Sequence, residues 1–300
     1  MNVDCLVIGA GPAGCTAAVY IARFRRSLAV IDNGQSRAAL IPRSHNCPGY
    51  PEGVAGTELL DRLRRQGERY GVHVRQARVE RLEAAGDGFV ADLGDDRIFA
   101  RKVLIATGIV DKEPEMKGIR EAIQDGCIRL CPICDAYDVI DRRLGVYGPP
   151  KTAWGHAVFL RTYSSNVDFL VPSGCDPAGG EAAHGLAAAG VTLVDEPVVE
   201  IFITEARRAA ARTQSGQVRE YDVIYPSLGF RPRSELAARL GARLSESGEI
   251  VVDDHQRTTV PGLYAAGDVV DALNQISVGM GQAAIAATDM HNSLRQLTPT

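Results

Sequence analysis

Asp4-Cys5-Leu6-Val7-Ile8-Gly9-Ala10-Gly11-Pro12-Ala13-Gly14 decides the fold. Four consecutive apolar residues, Cys5 to Ile8, predict a strand buried on both faces, as parallel sheets require. A G-x-G-x-x-G turn follows and opens a helix through Cys15-Thr16-Ala17-Ala18-Val19-Tyr20-Ile21-Ala22. Gly9 permits the tight turn, Gly11 lets the backbone approach a pyrophosphate, and Gly14 lets helix and strand pack closely. The helix start offers unpaired N–H groups and positive potential to phosphates. The next strand, Leu28 to Ile31, ends in Asp32, where a carboxylate can bind a ribose 2′-OH. A glycine motif alone would say little. Strand, turn, helix, strand and terminal acid in that order predict a dinucleotide-binding unit in an α/β chain.

Further along, Arg143 to Tyr147 starts a second strand-turn-helix unit that breaks the pattern. Its turn reads Gly148-Pro149-Pro150-Lys151-Thr152-Ala153. Pro150 stands where the second glycine belongs; it has no N–H to give a phosphate and its ring occupies the phosphate's space. The following strand, Val167 to Val171, ends in Pro172-Ser173-Gly174, with neither an acid for a ribose hydroxyl nor an arginine for a 2′-phosphate. This second unit reads as a disabled nucleotide site, the competing reading being a nucleotide held through other contacts.

Between and around these units the chain alternates elements and loops. Gln35 to Tyr50 is an irregular loop in which His45 and Asn46 can contact a cofactor or simply pack. Thr57 to Tyr70 is an amphipathic helix with Leu59, Leu60 and Leu63 inward, capped by Thr57 and stopped by Gly71. Val72 to Ala100 predicts a small antiparallel meander, and Lys102 to Ala106 a buried strand ended by Thr107-Gly108. Asp111 to Gly118 reads as a linker. Val191 to Thr213 and Gln217 to Leu228 predict more strands, as does Glu249 to Asp253. Gly262-Leu263-Tyr264-Ala265-Ala266-Gly267-Asp268-Val269 predicts a strand whose Asp268 either binds a sugar or ribityl hydroxyl or caps a turn. The last helix, Ile276 to Leu294, carries Gly279, Gly281, Ala283, Ala284, Ala286 and Ala287, which allows close approach of a cofactor or another helix.

Cys131-Pro132-Ile133-Cys134-Asp135 carries the chemistry. The spacing lets the two sulfurs switch between dithiol and disulfide, and such a pair commonly has one reactive thiolate. Asp135 is placed to pass a proton to or from a leaving thiolate. A structural zinc site needs about four ligands, and no second Cys-x-x-Cys or His-x-x-x-His follows, so redox chemistry is expected and no metal. The 300 residues, 45% hydrophobic and 23% charged, suit one large or two ordinary soluble domains. A net charge of -4 gives no reason to expect nucleic acid or an anionic membrane as partner, and no window is apolar enough to span a bilayer. The N-terminus runs straight into a strand with no basic leader, and seven cysteines fit a reducing compartment, so a cytoplasmic protein is expected.

Taken together, Gly9 to Gly14, Asn46-Cys47-Pro48-Gly49-Tyr50-Pro51, Ile105-Ala106-Thr107-Gly108, the Cys131 to Asp135 stretch and Gly262 to Val269 resemble the low-molecular-weight thioredoxin reductase family of flavoproteins over nearly the whole chain. The resemblance implies two Rossmann-like domains: a discontinuous FAD domain, 1–111 and 235–300, and an inserted NAD(P)-binding-like domain, 112–234, carrying the cysteines. It implies FAD held by Gly9, Gly11, Pro12, Ala13, Gly14, Asp32, His45, Asn46, Ala106, Thr107, Gly108, Gly267, Asp268 and the Asn274-Gln275-Ile276 turn, with Val79 near the adenine. It makes Cys134 the flavin-facing thiol and Cys131 the one that exchanges with substrate, with Asp135 moving protons; His291 is a candidate additional base across a dimer interface, or an ordinary interface histidine. The departures are Pro149-Pro150, Ala136 in place of the family's glycine, and no arginine from Val171 to Gly190. They look more like NADPH-independent branches: ferredoxin-linked or unassigned flavin disulfide reductases, and dithiol oxidases that pass electrons to oxygen. The expected protein is a homodimeric FAD-dependent disulfide/dithiol oxidoreductase without NADPH. The alternatives are a conventional NADPH-dependent thioredoxin reductase, an oxygen-using dithiol oxidase and a non-catalytic flavin-binding sensor.

Overall fold

The computed structural model describes residues 1–175 and 181–294. Its main sheet grows from the opening motif. β1 (Asn2–Ile8) lies between β2 (Leu28–Asp32) and β6 (Arg97–Ile105), parallel to both, and β3 (Val74–Gln76) adds to β2. The helix after the glycine turn is α1 (Pro12–Arg23); α2 (Gly56–Glu68) follows the long loop. Gly9 sits at φ 104°, and a Cβ there would lie 2.2 Å from the Ala106 carbonyl oxygen; one on Gly14 would lie 1.8 Å from the Gly9 oxygen. Both glycines are therefore dictated by close backbone approach.

Some local expectations change. β6 is one nine-residue strand that merges the expected meander with the expected Lys102 to Ala106 strand. It pairs antiparallel with β5 (Gly88–Asp92), which pairs with β4 (Arg81–Ala85), and parallel with β1 and β16 (Leu263–Ala265). β3 belongs to the parallel part, so only three strands form the meander. α2 starts at Gly56, one residue early, without a side-chain cap from Thr57, because the bare Gly56 fits against the Ala38 carbonyl. Glu249 to Asp253 forms no strand; Ile250 makes only isolated bridges to Leu244 and Val270.

At Asp111 the chain leaves this sheet through β7 (Ile109–Asp111), and it returns through β15 (Phe230–Pro232), the two forming a small antiparallel pair. Between them lie α3 (Ile119–Gln124), α4 (Pro132–Asp135), α5 (Pro150–Leu160) and α6 (Glu181–Ala188). A four-stranded parallel sheet takes the order β10 (Thr192–Leu193), β9 (Val167–Leu170), β8 (Leu144–Tyr147), β14 (Val223–Pro226). β11 (Val198–Ile203), β12 (Ala209–Thr213) and β13 (Val218–Tyr221) form an antiparallel meander beside it. The molecule is thus α/β with two Rossmann-like domains. α7 (Glu235–Arg239) and α8 (Ile276–Ser293) complete the first; α8 packs its buried Gly279, Ala283, Ala286 and Ala287 face toward α1. Among the described residues no helix is long and apolar enough to cross a membrane.

Two substitutions test this reading of the glycines. Gly14→Ala should cost about 3 kcal/mol in urea unfolding, since the clash is with backbone. Gly155→Ala, in the interior of α5 with no atom within 4 Å of the added carbon, should instead stabilise by about 0.5–1 kcal/mol.

Candidate active site and cofactor cradle

Cys131 and Cys134 are joined as a disulfide. Cys131 caps the single turn of α4 in extended conformation, Pro132 opens that turn, and the Cys134 N–H bonds the Cys131 carbonyl at 3.0 Å. Proline at the first helical position needs no hydrogen bond and presets φ, which makes the turn rigid. Ala136, where the family has glycine, takes ordinary helical angles and is buried among apolar side chains, so no glycine is needed there.

Asp135 follows the pair directly and closes the turn of α4. Tyr225, fully buried on β14, donates its hydroxyl to Asp135 Oδ1 at 2.9 Å. Arg129 approaches Asp135 Oδ2 at 3.5 Å and Asp138 Oδ2 at 3.6 Å. Burial pushes the Asp135 carboxyl up to about 6 against the opposing pull of Arg129 and Tyr225. Burial also pushes the Tyr225 phenol up, so it stays a donor. Arg129, Tyr225 and Asp138 were not singled out in the sequence; β14 reads there only as a buried strand, and no local motif marks its tyrosine.

The start of α8 faces the sulfurs. Gln275 Nε2 lies 3.4 Å from Cys134 Sγ and 3.8 Å from Cys131 Sγ. Its Oε1 accepts from Asn46 Nδ2 at 2.9 Å. His45 Nδ1 sits 3.0 Å from Asp138 Oδ2, and its ring fills the space beside Gly53. His45 and Asn46 thus meet protein partners from the far side of the site. Asn274 Oδ1 is buried with no hydrogen-bond partner among the described residues.

The remaining candidates form a cradle. Ala10 N–H donates to Asp32 Oδ1 and Gly34 N–H to Asp32 Oδ2, each at 2.9 Å, which fixes the carboxylate at the end of β2 beside a cavity of about 450 Å³. The first backbone bond of α1 runs from Cys15 N–H to the Gly11 oxygen, leaving Ala13 and Gly14 N–H without a partner among the described residues. Ala106 borders Gly9 and Gly14; a Cβ on Gly267 would lie 3.0 Å from the Ala13 Cβ. Asp268 lies 3.8 Å from Arg37, which also clasps Asp111 at 2.6 Å, and burial raises the Asp268 carboxyl. Arg37 was missed in the sequence because its partners lie far along the chain. Thr107 Oγ1 donates to the Arg233 carbonyl at 2.6 Å, and Gly108 accepts from the Arg233 N–H, so this pair ties the two crossings together. Val79 is buried core, with its side chain among apolar neighbours. Ile276 begins α8 and packs against the first core. His291 stacks on Phe24 at 4.6 Å and meets Arg26 at 3.1 Å, roughly 24 Å along α8 from Gln275 by helix rise. It is outside reach of the disulfide within one chain.

The family model described as pyridine nucleotide-disulphide oxidoreductase matches residues 3–287. The chain belongs to that family. It is 28% identical to the thioredoxin reductase of Mycolicibacterium smegmatis, covering 98% of this chain and 97% of that one. The crystal structure of the thioredoxin reductase from Streptococcus pyogenes MGAS5005 superposes with a TM-score of 0.88 at 28% identity, covering 98% of each chain. The crystal structure of HlmI gives 0.89 at 28% identity, covering 98% of this chain and 92% of that one. This family member is a thioredoxin reductase-like flavin disulfide oxidoreductase, an enzyme acting on sulfur groups with FAD as cofactor. The uncommitted N–H groups of α1, the anchored Asp32 and the orphaned Asn274 oxygen fit such a group.

Asp135, poised near pH 6, should give disulfide exchange a matching titration: below it the acid can protonate a leaving sulfur, above it the carboxylate can only accept. Single-turnover exchange with a neutral disulfide, followed from about pH 5 to 8, should lose that limb in Asp135→Asn. An identical profile for the variant would remove Asp135 from the chemistry.

Proposed function

We propose that this protein moves two electrons between FAD and the Cys131–Cys134 pair without using NADPH. FAD, when bound, supplies a two-electron acceptor or donor. By the placement above, Ala13 and Gly14 N–H and Asp32 would hold its phosphates and ribose, with Gly267, Asp268 and the Asn274-Gln275-Ile276 turn along its length. Cys134 is the thiol on the flavin side, Cys131 exchanges with a protein or small-molecule dithiol or disulfide, and Asp135 carries the proton. The relatives' names favour thioredoxin as that protein, and ferredoxin or oxygen would serve on the electron side. Residues 112–234 are the inserted unit and 1–111 with 235–300 the cofactor unit, a division supported by the β7–β15 pair at which the chain crosses.

One observation carries the nucleotide half of the reading. The turn after β8 matches the turn after β1 in its first step: Gly148 N–H bonds the Leu170 oxygen as Gly9 N–H bonds the Ile31 oxygen, and a Cβ on Gly148 would collide with the Ser227 carbonyl as one on Gly9 would with Ala106. From there the two diverge. Pro149 stands where Ala10 gives its N–H to Asp32, and Pro150 opens α5. Thr152 and Ala153 both spend their N–H groups on the Pro149 oxygen, at 3.1 and 3.0 Å. The Lys151 N–H is left as the single uncommitted backbone donor of that turn among the described residues. A diphosphate that meets at least two free N–H groups at α1 meets one here, beside two proline rings. Part of the stretch expected to read a 2′-phosphate, residues 176–180, lies outside the described residues; its sequence holds no arginine.

Anaerobic mixing tests this. Dithiothreitol should bleach the flavin band, while NADPH at physiological concentration should leave it unchanged over many minutes. Rapid bleaching by NADPH would establish the rival reading, a conventional NADPH-dependent thioredoxin reductase. A Cys134→Ser protein indistinguishable from the parent in every dithiol and disulfide assay would favour a flavin-binding sensor.

A further inference from the structure

A glutamine beginning a helix ordinarily spends its amide on backbone or water. Gln275 spends both ends of its amide on side chains. It is the N-cap residue of α8 in extended backbone, and its side chain makes no capping bond. The hydrogen bonds run in one direction. Ser44 Oγ donates to Asn46 Oδ1 at 2.9 Å, Asn46 Nδ2 donates to Gln275 Oε1 at 2.9 Å, and Gln275 Nε2 points at Cys134 Sγ. The start of that chain is fixed: Ser44 is buried, and its backbone exchanges two bonds with Val54 at 2.8 and 2.9 Å.

We propose that Gln275 is a catalytic residue of the exchange: its amide N–H donates to the Cys134 sulfur as that sulfur becomes a thiolate, and Asn46, backed by Ser44, is the positioning residue that holds the amide in the donating orientation. The inference rests on the flavin disulfide oxidoreductase reading and adds the group that stabilises its reduced sulfur. A disulfide sulfur is a weak acceptor and a thiolate a strong, charged one, so the bond strengthens as the S–S bond opens. That is the differential binding that speeds a reaction. The reversed amide would set the Oε1 lone pairs against a thiolate, which is repulsive. The geometry also chooses between the sulfurs, since Nε2 is nearer Cys134 than Cys131.

A dithiol reductant supplies two electrons as its own disulfide forms. The Cys131–Cys134 bond breaks, Cys131 leaves as a thiol carrying one proton of the reductant, and Cys134 stays as thiolate on Gln275 while the second proton goes to solvent or Asp135. The other charged and titratable groups around the pair are Asp135 and Asp138 on its own segment, Arg129 before it, Tyr225 on β14 and His45 from the cofactor side. All are unchanged in the variants below.

The test uses the FAD-loaded protein in a Cys131→Ser background, so that Cys134 is a lone thiol. Its alkylation by iodoacetamide is followed against pH, with the Cys134 peptide read by mass spectrometry. Gln275→Leu should raise the midpoint by about one pH unit, a tenfold loss of thiolate below it. Gln275→Glu should raise it further, by adding repulsion, and Asn46→Ala by an intermediate amount. General loosening of the site would not produce that order. Midpoints that coincide across the series would overturn the proposal, as would a fall with Gln275→Leu. Should a Gln275 variant lose its flavin, Asn46→Ala carries the test alone. With both cysteines present, Gln275→Leu should shift equilibrium with glutathione tenfold toward the disulfide, about 30 mV. A parent protein that never exchanges with glutathione would defeat the reading of function itself; exchange with one constant in all variants would defeat only the role of Gln275.

Discussion

The contact between the start of α8 and the Cys131–Cys134 disulfide is what everything else in this molecule serves. It brings the redox pair, on the segment between β7 and β15, against a helix that packs on the main sheet's side of the chain. The Gln275 amide lies 3.4 Å from Cys134 Sγ. His45 adds a polar contact to Asp138. The pair is partly exposed and contributes little alone. Its value is to hold the loop before α2 against the segment after α4, while the apolar cores beneath the two sheets supply the stability.

The same strand-turn-helix unit appears twice in the chain with different free donors at its turn. After β1, glycine at the second motif position leaves N–H groups open and a buried acid fixed by two backbone bonds. After β8, proline fills that position, and the next two donors after Lys151 turn inward onto the Pro149 oxygen. Strand, turn and helix survive because hydrophobic packing and the bare Gly148 are enough to make them. The donors a phosphate would need are set by one or two residues of the turn, independently of the architecture around them.

Much of this was legible in the sequence, because the relevant signals are local. The opening strand, the glycine turn, the acid after β2, the cysteine spacing and the prolines of the second turn all declare themselves within a few residues. What is not local is not legible. β6 reads as two strands because its pairing partner changes halfway, from β5 to β16, and no local pattern records a change of neighbour. Thr57 is a good capping residue by type, but tertiary packing of Gly56 against Ala38 sets the helix start. Arg37, Arg129 and Tyr225 were invisible because their partners lie 6 to 90 residues away and meet them only in the folded chain. Gln275 was placed at the cofactor by resemblance; only its geometry shows the sulfur as its neighbour.

The central claim is that flavin and disulfide form one electron-exchanging unit. Stoichiometric anaerobic reduction with dithionite tests it most directly, since it counts electrons without regard to the natural donor. The native protein should take up two electron pairs per bound FAD, one for the flavin and one for the disulfide, and Cys134→Ser should take up one. Uptake of a single pair by both proteins would mean that the sulfurs and the flavin do not communicate, and the account would fail.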